Sequence, residues 1–128
     1  MSVSLHSVAI FVTDIDRAHA FYVELLDLPV HKQGSFGFEL LEQSPHIGVH
    51  PAQHPDAKAM IGRHTGLTFA VHDLLELSAK LLAAGVTFVA PPAQQGFGMM
   101  AMVADPDGNI LALWEDNVSP VVAPGNTP

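Results

Sequence analysis

The sequence predicts an α+β fold in which a strand, a helix and three further strands occur twice along one chain. The register of this repeat is one basis for the prediction. Val12 and Asp14 in the first half correspond to Val71 and Asp73 in the second half, at an offset of 59 residues. The other basis is size and composition, because 128 residues with 48% apolar and 14% charged residues are typical of one folded domain.

The first module, at about 3–51, begins with a strand at 3–12, which is rich in β-branched and apolar residues. Asp14 follows in a position suited to a helix N-cap, and the segment IDRAHAFYVELL places its apolar residues on one helical face. Two short strands are expected at 35–41 and 46–50, because the turn residues Gln, Ser and Pro stand between them.

The second module, at about 63–116, follows a linker at 52–62 in which Pro and Ala residues show no period. Its first strand is expected at 65–71. Asp73 then begins an amphipathic helix, and Glu76 three residues later completes the form of a capping box. Three further strands are expected at 86–90, 97–104 and 109–114, and a DPDG turn separates the last two.

These segments predict one domain at 1–117 and a Pro-rich tail at 118–128. The net charge of -8, from 13 acidic and 5 basic residues, disfavours nucleic acid as a partner, since phosphate binding needs Lys and Arg. The chain has no cysteine, which excludes a disulfide, a thiolate nucleophile and a Cys-ligated metal. No apolar run approaches the ~18 residues of a membrane span, and the N-terminus lacks a basic leader, so a cytoplasmic location is expected.

Three motifs, IFVTDIDRAHAFYVELLDLPV, VHDLLEL and DPDGNILALWE, resemble the vicinal oxygen chelate superfamily over about 3–116. That superfamily includes glyoxalase I, extradiol dioxygenases, fosfomycin resistance enzymes and bleomycin resistance proteins. The resemblance implies two βαβββ modules, the glyoxalase/bleomycin resistance fold, with curved mixed sheets around a cleft. It also implies a homodimer, in which modules are exchanged between chains in many members. One fold of this kind hosts metal enzymes and metal-free binding proteins alike.

The family's metal-ligand positions hold unsuitable residues in this sequence. In metal-binding members the first ligand lies seven residues before the helix-capping Asp, which is Ser7 here, and the matching position in the second module is Gly66. The family carboxylate, four residues after the Gly of DPDG, is replaced by Ala112. The fourth position falls near Gly48, with His50 on the same face. The resemblance therefore implies no metal, no cofactor and no assigned catalytic residue.

The same strand alternation selects the side chains that face the expected cleft. These side chains are small or aromatic, and the run GFGMMAM adds two methionines that adapt to apolar ligands. The predicted ligand-binding residues are Ser7, Phe11, His50, Thr68, Met100, Met102, Ala112 and Trp114. Packing in the core or at an interface is the alternative role for Phe11 and Trp114.

The expected function is metal-independent binding of a small molecule, as in bleomycin resistance proteins. The ligand is expected to be either antibiotic-like or a metabolite. Binding of an antibiotic would give antibiotic resistance. The alternative is a metal-dependent lyase or dioxygenase, in which a bulge shifts the register and His6, His50 or His64 binds metal with Glu115. A third possibility is a metal-free isomerase or epimerase with His50 or Glu115 as general base. Otherwise Glu115 is expected to be a solvated charge at a strand end. The histidines expected in solvated turns or loops are His31, His46, His54 and His72.

Overall fold

The computed structural model describes residues 2–117, which contain eight strands and three helical segments. The strands are β1 (Ser7–Val12), β2 (Val30–Gly34), β3 (Gly37–Leu40), β4 (His46–Pro51), β5 (His64–Ala70), β6 (Thr87–Gln95), β7 (Gly98–Ala104) and β8 (Ile110–Asp116). The helices are α1 (Ile15–His19), which continues as a π-helical turn over Ala20–Leu25, α2 (Pro55–Lys58) and α3 (Leu74–Ala83). No helix among these residues is both long and apolar enough to cross a bilayer.

The strands form two four-stranded sheets, which confirms the predicted α+β class. The first sheet has the order β1-β4-β3-β2, and the second has the order β5-β8-β7-β6. In the first sheet β1 and β4 are parallel, whereas β3 is antiparallel to both β2 and β4. The sheet is therefore mixed, as expected for the module.

The described residues divide into two compact units. The first unit holds residues 2–65 and 104–110, so it includes the first sheet and the DPDG turn. The second unit holds residues 66–103 and 111–117, which form most of the second sheet and α3. The single domain and its module boundaries stay a prediction, and the expected tail at 118–128 lies outside the described residues.

The core of the first unit lies between one face of its sheet and the helix that follows β1. Alternate strand residues point into this core, because side chains of a strand alternate between its two faces. The buried strand residues are Ile10, Val12, Phe38, Leu40, Ile47 and Val49, and the buried helical residues are Ala18, Phe21 and Tyr22. Burying one such large apolar side chain contributes about 1.5–3 kcal/mol. The opposite face of the sheet is therefore left open in this unit.

The second unit repeats this design with α3. Asp73 caps the helix, since its carboxylate accepts a hydrogen bond from the backbone N–H of Glu76 at 3.1 Å, and the predicted N-cap is confirmed. Leu74 and Leu81 are fully buried on the inner face of the helix. The strand residues buried in the same unit include Ala101, Val103, Leu111 and Leu113.

The structure corrects several predicted boundaries. The strand expected at 3–12 begins only at Ser7. Strand β2 was not located from the sequence because all five residues of its VHKQG segment are exposed and show no apolar alternation. Strand β6 extends through two prolines to Gln95, which is possible because it is an edge strand and need not donate every backbone N–H. The linker expected at 52–62 contains the short helix α2.

A buried polar network joins the DPDG turn to the helical part of the first unit. The Oδ1 atom of Asp105 accepts hydrogen bonds from the backbone N–H groups of Asp107 and Asn109, both at 2.9 Å. Its Oδ2 atom accepts from the Tyr22 hydroxyl at 2.6 Å and from Asn109 Nδ2 at 2.9 Å. Asn109 Nδ2 also donates to the carbonyl of Phe11. The predicted structural role of the turn is confirmed, but its partners far away in the chain were not anticipated.

Candidate functional site

The open face of the first sheet carries the candidate residues of the first unit. In β1 the residues Ile10 and Val12 are buried in the core, so Ser7, Ala9 and Phe11 face the other way. The parallel register places Ser7 beside His46, Ala9 beside Gly48 and Phe11 beside His50. The alternation inferred from the sequence therefore holds for both strands.

Phe11 and His50 form the aromatic part of this face. Their ring centroids are 6.4 Å apart, and the rings are tilted by 45°. The His50 imidazole folds over Gly48, where an added Cβ atom would come within 2.5 Å of His50 Nε2. The missing side chain of Gly48 therefore makes room for His50, and the imidazole presents a polar edge next to an apolar ring.

Two cavities border this face. The larger one is a shallow groove, open to solvent, with a volume of about 350 Å³. Its lining combines aromatic, cationic and anionic groups from Lys32, Gly34, Ser35, Phe36, Gly37, Phe38, Glu39 and His50. The smaller cavity, of about 140 Å³, includes Phe11 and Arg63 in its lining. Phe36 is 65% exposed, so an apolar surface is available to a ligand at the mouth of the larger cavity.

Glu115 shows which face of the second sheet is turned toward α3 and which is turned away from it. Its carboxylate accepts a hydrogen bond from the backbone N–H of Leu74 at 2.8 Å, so the alternate residues Leu111, Leu113 and Glu115 of β8 face α3. Ala112 and Trp114 consequently face away from the helix. The Trp114 indole N–H donates to Asp116 Oδ1 at 2.7 Å.

The predicted binding residues form two groups, one in each unit. Ser7, Phe11 and His50 share the open face of the first sheet. In the second unit Met100 and Met102 have the same strand parity as Gly98, which packs against Trp114, so they lie with Ala112 on the face of the sheet that points away from α3. Thr68 is exposed on β5, and Ala112 is buried. A joint site of all eight residues stays a prediction.

Gly98 leaves the space that the Trp114 ring fills. A Cβ atom at residue 98 would overlap the indole ring and would come within 2.5 Å of the carbonyl oxygen of Glu115. We expect Gly98→Ala to lower the free energy of unfolding by about 1–3 kcal/mol, because overpacking forces side chains and backbone to shift. Urea unfolding would measure the loss, and fluorescence of the single tryptophan would report its displacement. An unchanged stability and emission spectrum would contradict this packing. Gly34→Ala is the control, because residue 34 has open space around it and, like residue 98, no positive φ.

The sequence suggested that Glu115 is a solvated charge at a strand end, and this prediction is wrong. It is half-buried and caps the N-terminus of α3, where a carboxylate is favoured by the unsatisfied N–H groups and the helix dipole. The sequence could not show this, because Glu115 and Leu74 lie 41 residues apart. Its role in helix capping also weakens the alternatives that use it as a metal ligand or general base.

The residues at the family's metal-ligand positions do not fit a metal ion. Ser7 offers one neutral hydroxyl, Gly48 and Gly66 have no side chain, and Ala112 offers only a methyl group. Zn²⁺ and similar transition-metal ions are bound by imidazole, thiolate or carboxylate groups, with three or four of them in a site. No metal-assisted step can therefore be built on these positions.

A different group of possible ligands lies nearby on the first sheet. His31, Glu39 and His46 place their donor atoms within 4.8 Å of one another. Among residues 2–117 this is the group of at least three His, Cys, Asp or Glu side chains that lie close enough to hold one metal ion. The prediction that His46 lies in a solvated turn is wrong, because His46 begins β4 and is only 8% exposed. The group was missed because it depends on β2, the strand that carries His31 and that the sequence did not reveal.

Comparisons with known proteins agree with this architecture. A family model described as the Glyoxalase/Bleomycin resistance protein/Dioxygenase superfamily matches residues 4–113. No curated protein matches the sequence. The solved structure of TnmS3, an antibiotic binding protein from Streptomyces sp. CB03234, is 25% identical, with a TM-score of 0.70 over 91% of this chain and 99% of that chain.

Two further structures are similar over nearly their whole length. A member of the glyoxalase/bleomycin resistance protein/dioxygenase superfamily from Sphaerobacter thermophilus DSM 20745 is 25% identical, with a TM-score of 0.70 over 89% of this chain and 98% of that chain. UcmS2 is 24% identical, with a TM-score of 0.72 over 89% of this chain and 98% of that chain. The likeness to UcmS2 shows the fold alone.

Proposed function

Because the chain belongs to the Glyoxalase/Bleomycin resistance protein/Dioxygenase superfamily, we propose that it binds an amphipathic aromatic small molecule without a metal ion at the family's ligand positions. The observation that carries this proposal is the open face of the first sheet. Phe11 offers an apolar ring there and lines the cavity of about 140 Å³, and the neighbouring His50 offers a polar edge and lines the cavity of about 350 Å³. Sites that combine an apolar wall with a few polar groups are typical of small-molecule binding.

Charge around the cavity restricts the chemistry of the ligand. Lys32 and Glu39 line it on neighbouring strands, and the register pairs them directly. The chain as a whole carries a net charge of -8, which favours cationic over anionic ligands at long range. Antibiotic-like compounds with an aromatic body and a cationic group satisfy both conditions. The similarity to the antibiotic binding protein TnmS3 supports the same class.

The proposal is tested by adding a panel of aromatic and cationic antibiotics to the full chain and following thermal unfolding. A ligand at 100 times its Kd is expected to stabilise the protein by about 2.7 kcal/mol. Phe11→Ala is expected to weaken binding of that ligand about tenfold, a loss of about 1.4 kcal/mol, because an aromatic contact is removed. Calorimetric titration of wild type and variant measures the ratio.

Phe97→Ala is the matched control for the loss of an aromatic side chain. Phe97 is 88% exposed in the turn between β6 and β7 and lies in the second unit. Its substitution is expected to leave the affinity unchanged. The antibiotic form of the proposal fails if no compound of the panel raises the unfolding temperature. The site assignment fails if Phe11→Ala binds as tightly as wild type.

The metal-dependent lyase or dioxygenase has less support. It requires Glu115 and a histidine to share a metal, and Glu115 instead receives the first backbone N–H of α3. The alternation of β1 and β4 follows the expected register, so the bulge that this alternative needs is not found in those strands. The expected homodimer and cytoplasmic location stay predictions.

A further inference from the structure

We propose that His31, Glu39 and His46 form a binding site for one divalent transition-metal ion, with Zn²⁺ as the reference ion. The three side chains come from β2, β3 and β4, and their donor atoms all lie within 4.8 Å of one another. Two imidazoles and one carboxylate are a ligand set that Zn²⁺ and similar ions accept. The site involves none of the four family positions, and it shares Glu39 with the lining of the cavity proposed for the small-molecule ligand, whereas His31 and His46 are not in that lining.

The strand alternation brings the group to the open face of the first sheet. Phe38 and Leu40 are buried in the core, so Glu39 between them faces the open side. His46 has the same parity as Gly48 and His50, which places it on the same side of β4. The site can therefore form without disturbing the apolar core of the unit.

The backbone orients the His46 ring in a way that leaves its Nε2 atom available to a metal ion. Its Nδ1 atom lies 2.8 Å from the carbonyl oxygen of Leu41, and since a carbonyl can only accept, Nδ1 carries the proton. The lone pair is consequently on Nε2. Metal-bound histidines usually have this arrangement, in which a backbone carbonyl or a carboxylate orients the ring through its other nitrogen.

The backbone departs from regular geometry at two points next to the site, at Leu41 and at His31. Leu41 has a φ of 77°, in the left-handed region that costs an ordinary residue about 1–2 kcal/mol. This conformation supplies the carbonyl that holds His46. The pairing of β2 with β3 is shifted between Val30 and Lys32, so His31 is the extra residue of a bulge. Bulges re-aim side chains and are frequent near functional sites.

The imidazoles are already close. His31 stacks on His46 with ring centroids 4.2 Å apart and an angle of 10° between the rings, and His6 meets His46 edge-on at 5.6 Å. Tetrahedral Zn²⁺ with bonds of about 2.0–2.1 Å holds its donors roughly 3.4 Å apart. Stacked imidazole rings do not direct their lone pairs to one point, so His31 has to turn out of the stack to bind the same ion, and its exposed position leaves room for that movement.

Glu39 has a carboxylate that its surroundings do not otherwise use. No ion pair of Glu39 is found among residues 2–117, even though Lys32 lies opposite it in the register. A half-buried carboxylate beside two imidazole rings is stabilised by a bound cation, which offsets its desolvation. The same ion would link the edge strand β2 to β3 and β4.

The test uses the full chain without a histidine tag. The protein is equilibrated with Zn²⁺ alone and dialysed, and its metal content is measured by elemental analysis. The Kd of the protein for Zn²⁺ is measured by calorimetric titration. We expect one Zn²⁺ per chain. His31→Gln and Glu39→Gln are each expected to weaken Zn²⁺ binding at least about tenfold, since even the loss of an outer partner of a ligand costs that much. Both positions are outside the core, so the variants should fold.

His72→Gln is the matched control, because it removes an exposed histidine of the second unit. It is expected to bind Zn²⁺ as wild type does, and Phe11→Ala is expected to do the same. The imidazole NMR signals of His31 and His46 should shift on addition of Zn²⁺ while those of His72 stay in place. Absence of bound Zn²⁺, or equal affinity in His31→Gln and Glu39→Gln, would overturn the proposal.

Discussion

Asp105→Ala is expected to lower the free energy of unfolding by about 3–5 kcal/mol, because Asp105 is the acceptor at the centre of a buried network. Its carboxylate accepts four hydrogen bonds, from the Tyr22 hydroxyl, Asn109 Nδ2 and the backbone N–H groups of Asp107 and Asn109. Asp105 is only 4% exposed, and Tyr22 and Asn109 are buried beside it.

Urea unfolding followed by circular dichroism measures this loss. Asp105→Asn should be less harmful, because the amide oxygen can still accept from some of the donors. Glu42→Ala is the control, since Glu42 is an exposed acidic residue, and we expect a change of no more than about 0.5 kcal/mol. If Asp105→Ala were as stable as Glu42→Ala, the network would not be what holds the DPDG turn in place.

Alkaline conditions are expected to destabilise the protein through Tyr22. Burial raises the pKa of the Tyr22 hydroxyl far above its ordinary value, and the negative charge of Asp105 raises it further. In the unfolded chain the same hydroxyl titrates near pH 10. The folded state therefore keeps the proton above that pH while the unfolded state loses it.

The sign of the effect follows from this difference in bound protons. The contribution is fully present below about pH 10 and is lost as the pH rises toward the raised pKa of the folded state. The free energy of unfolding should fall by about 1.4 kcal/mol for each pH unit above that point. Because Tyr22 is the only tyrosine in the chain, tyrosinate absorbance should appear together with unfolding.

Tyr22→Phe separates this effect from the titration of the lysines. The variant keeps the apolar ring but has no hydroxyl to titrate, so the additional loss of stability above about pH 10 should disappear. At neutral pH the variant should be less stable than wild type by about 1.5–3 kcal/mol, since it lacks a hydrogen bond to a carboxylate. Tyrosinate absorbance that develops in the folded wild-type protein would contradict the raised pKa.

Strand alternation allowed the face on which each β1 side chain lies to be predicted. The side chains of Ser7 and Phe11 were placed on the opposite face from the buried Ile10 and Val12, and the structure agrees. The prediction succeeded because period-two alternation is a local property of an extended chain. Strand β2 could not be found in the same way, since it carries no apolar pattern and depends on pairing with β3.

The sequence by itself determined the family, the repeated order of elements and the helix caps at Asp14 and Asp73. These features depend on local periods, on capping chemistry and on spacing along the chain. Only the tertiary structure decided the partners of Asp105, the capping role of Glu115 and the meeting of His31 with Glu39 and His46. Those contacts join distant segments or follow from a bulge and an unusual φ angle, which no local pattern encodes.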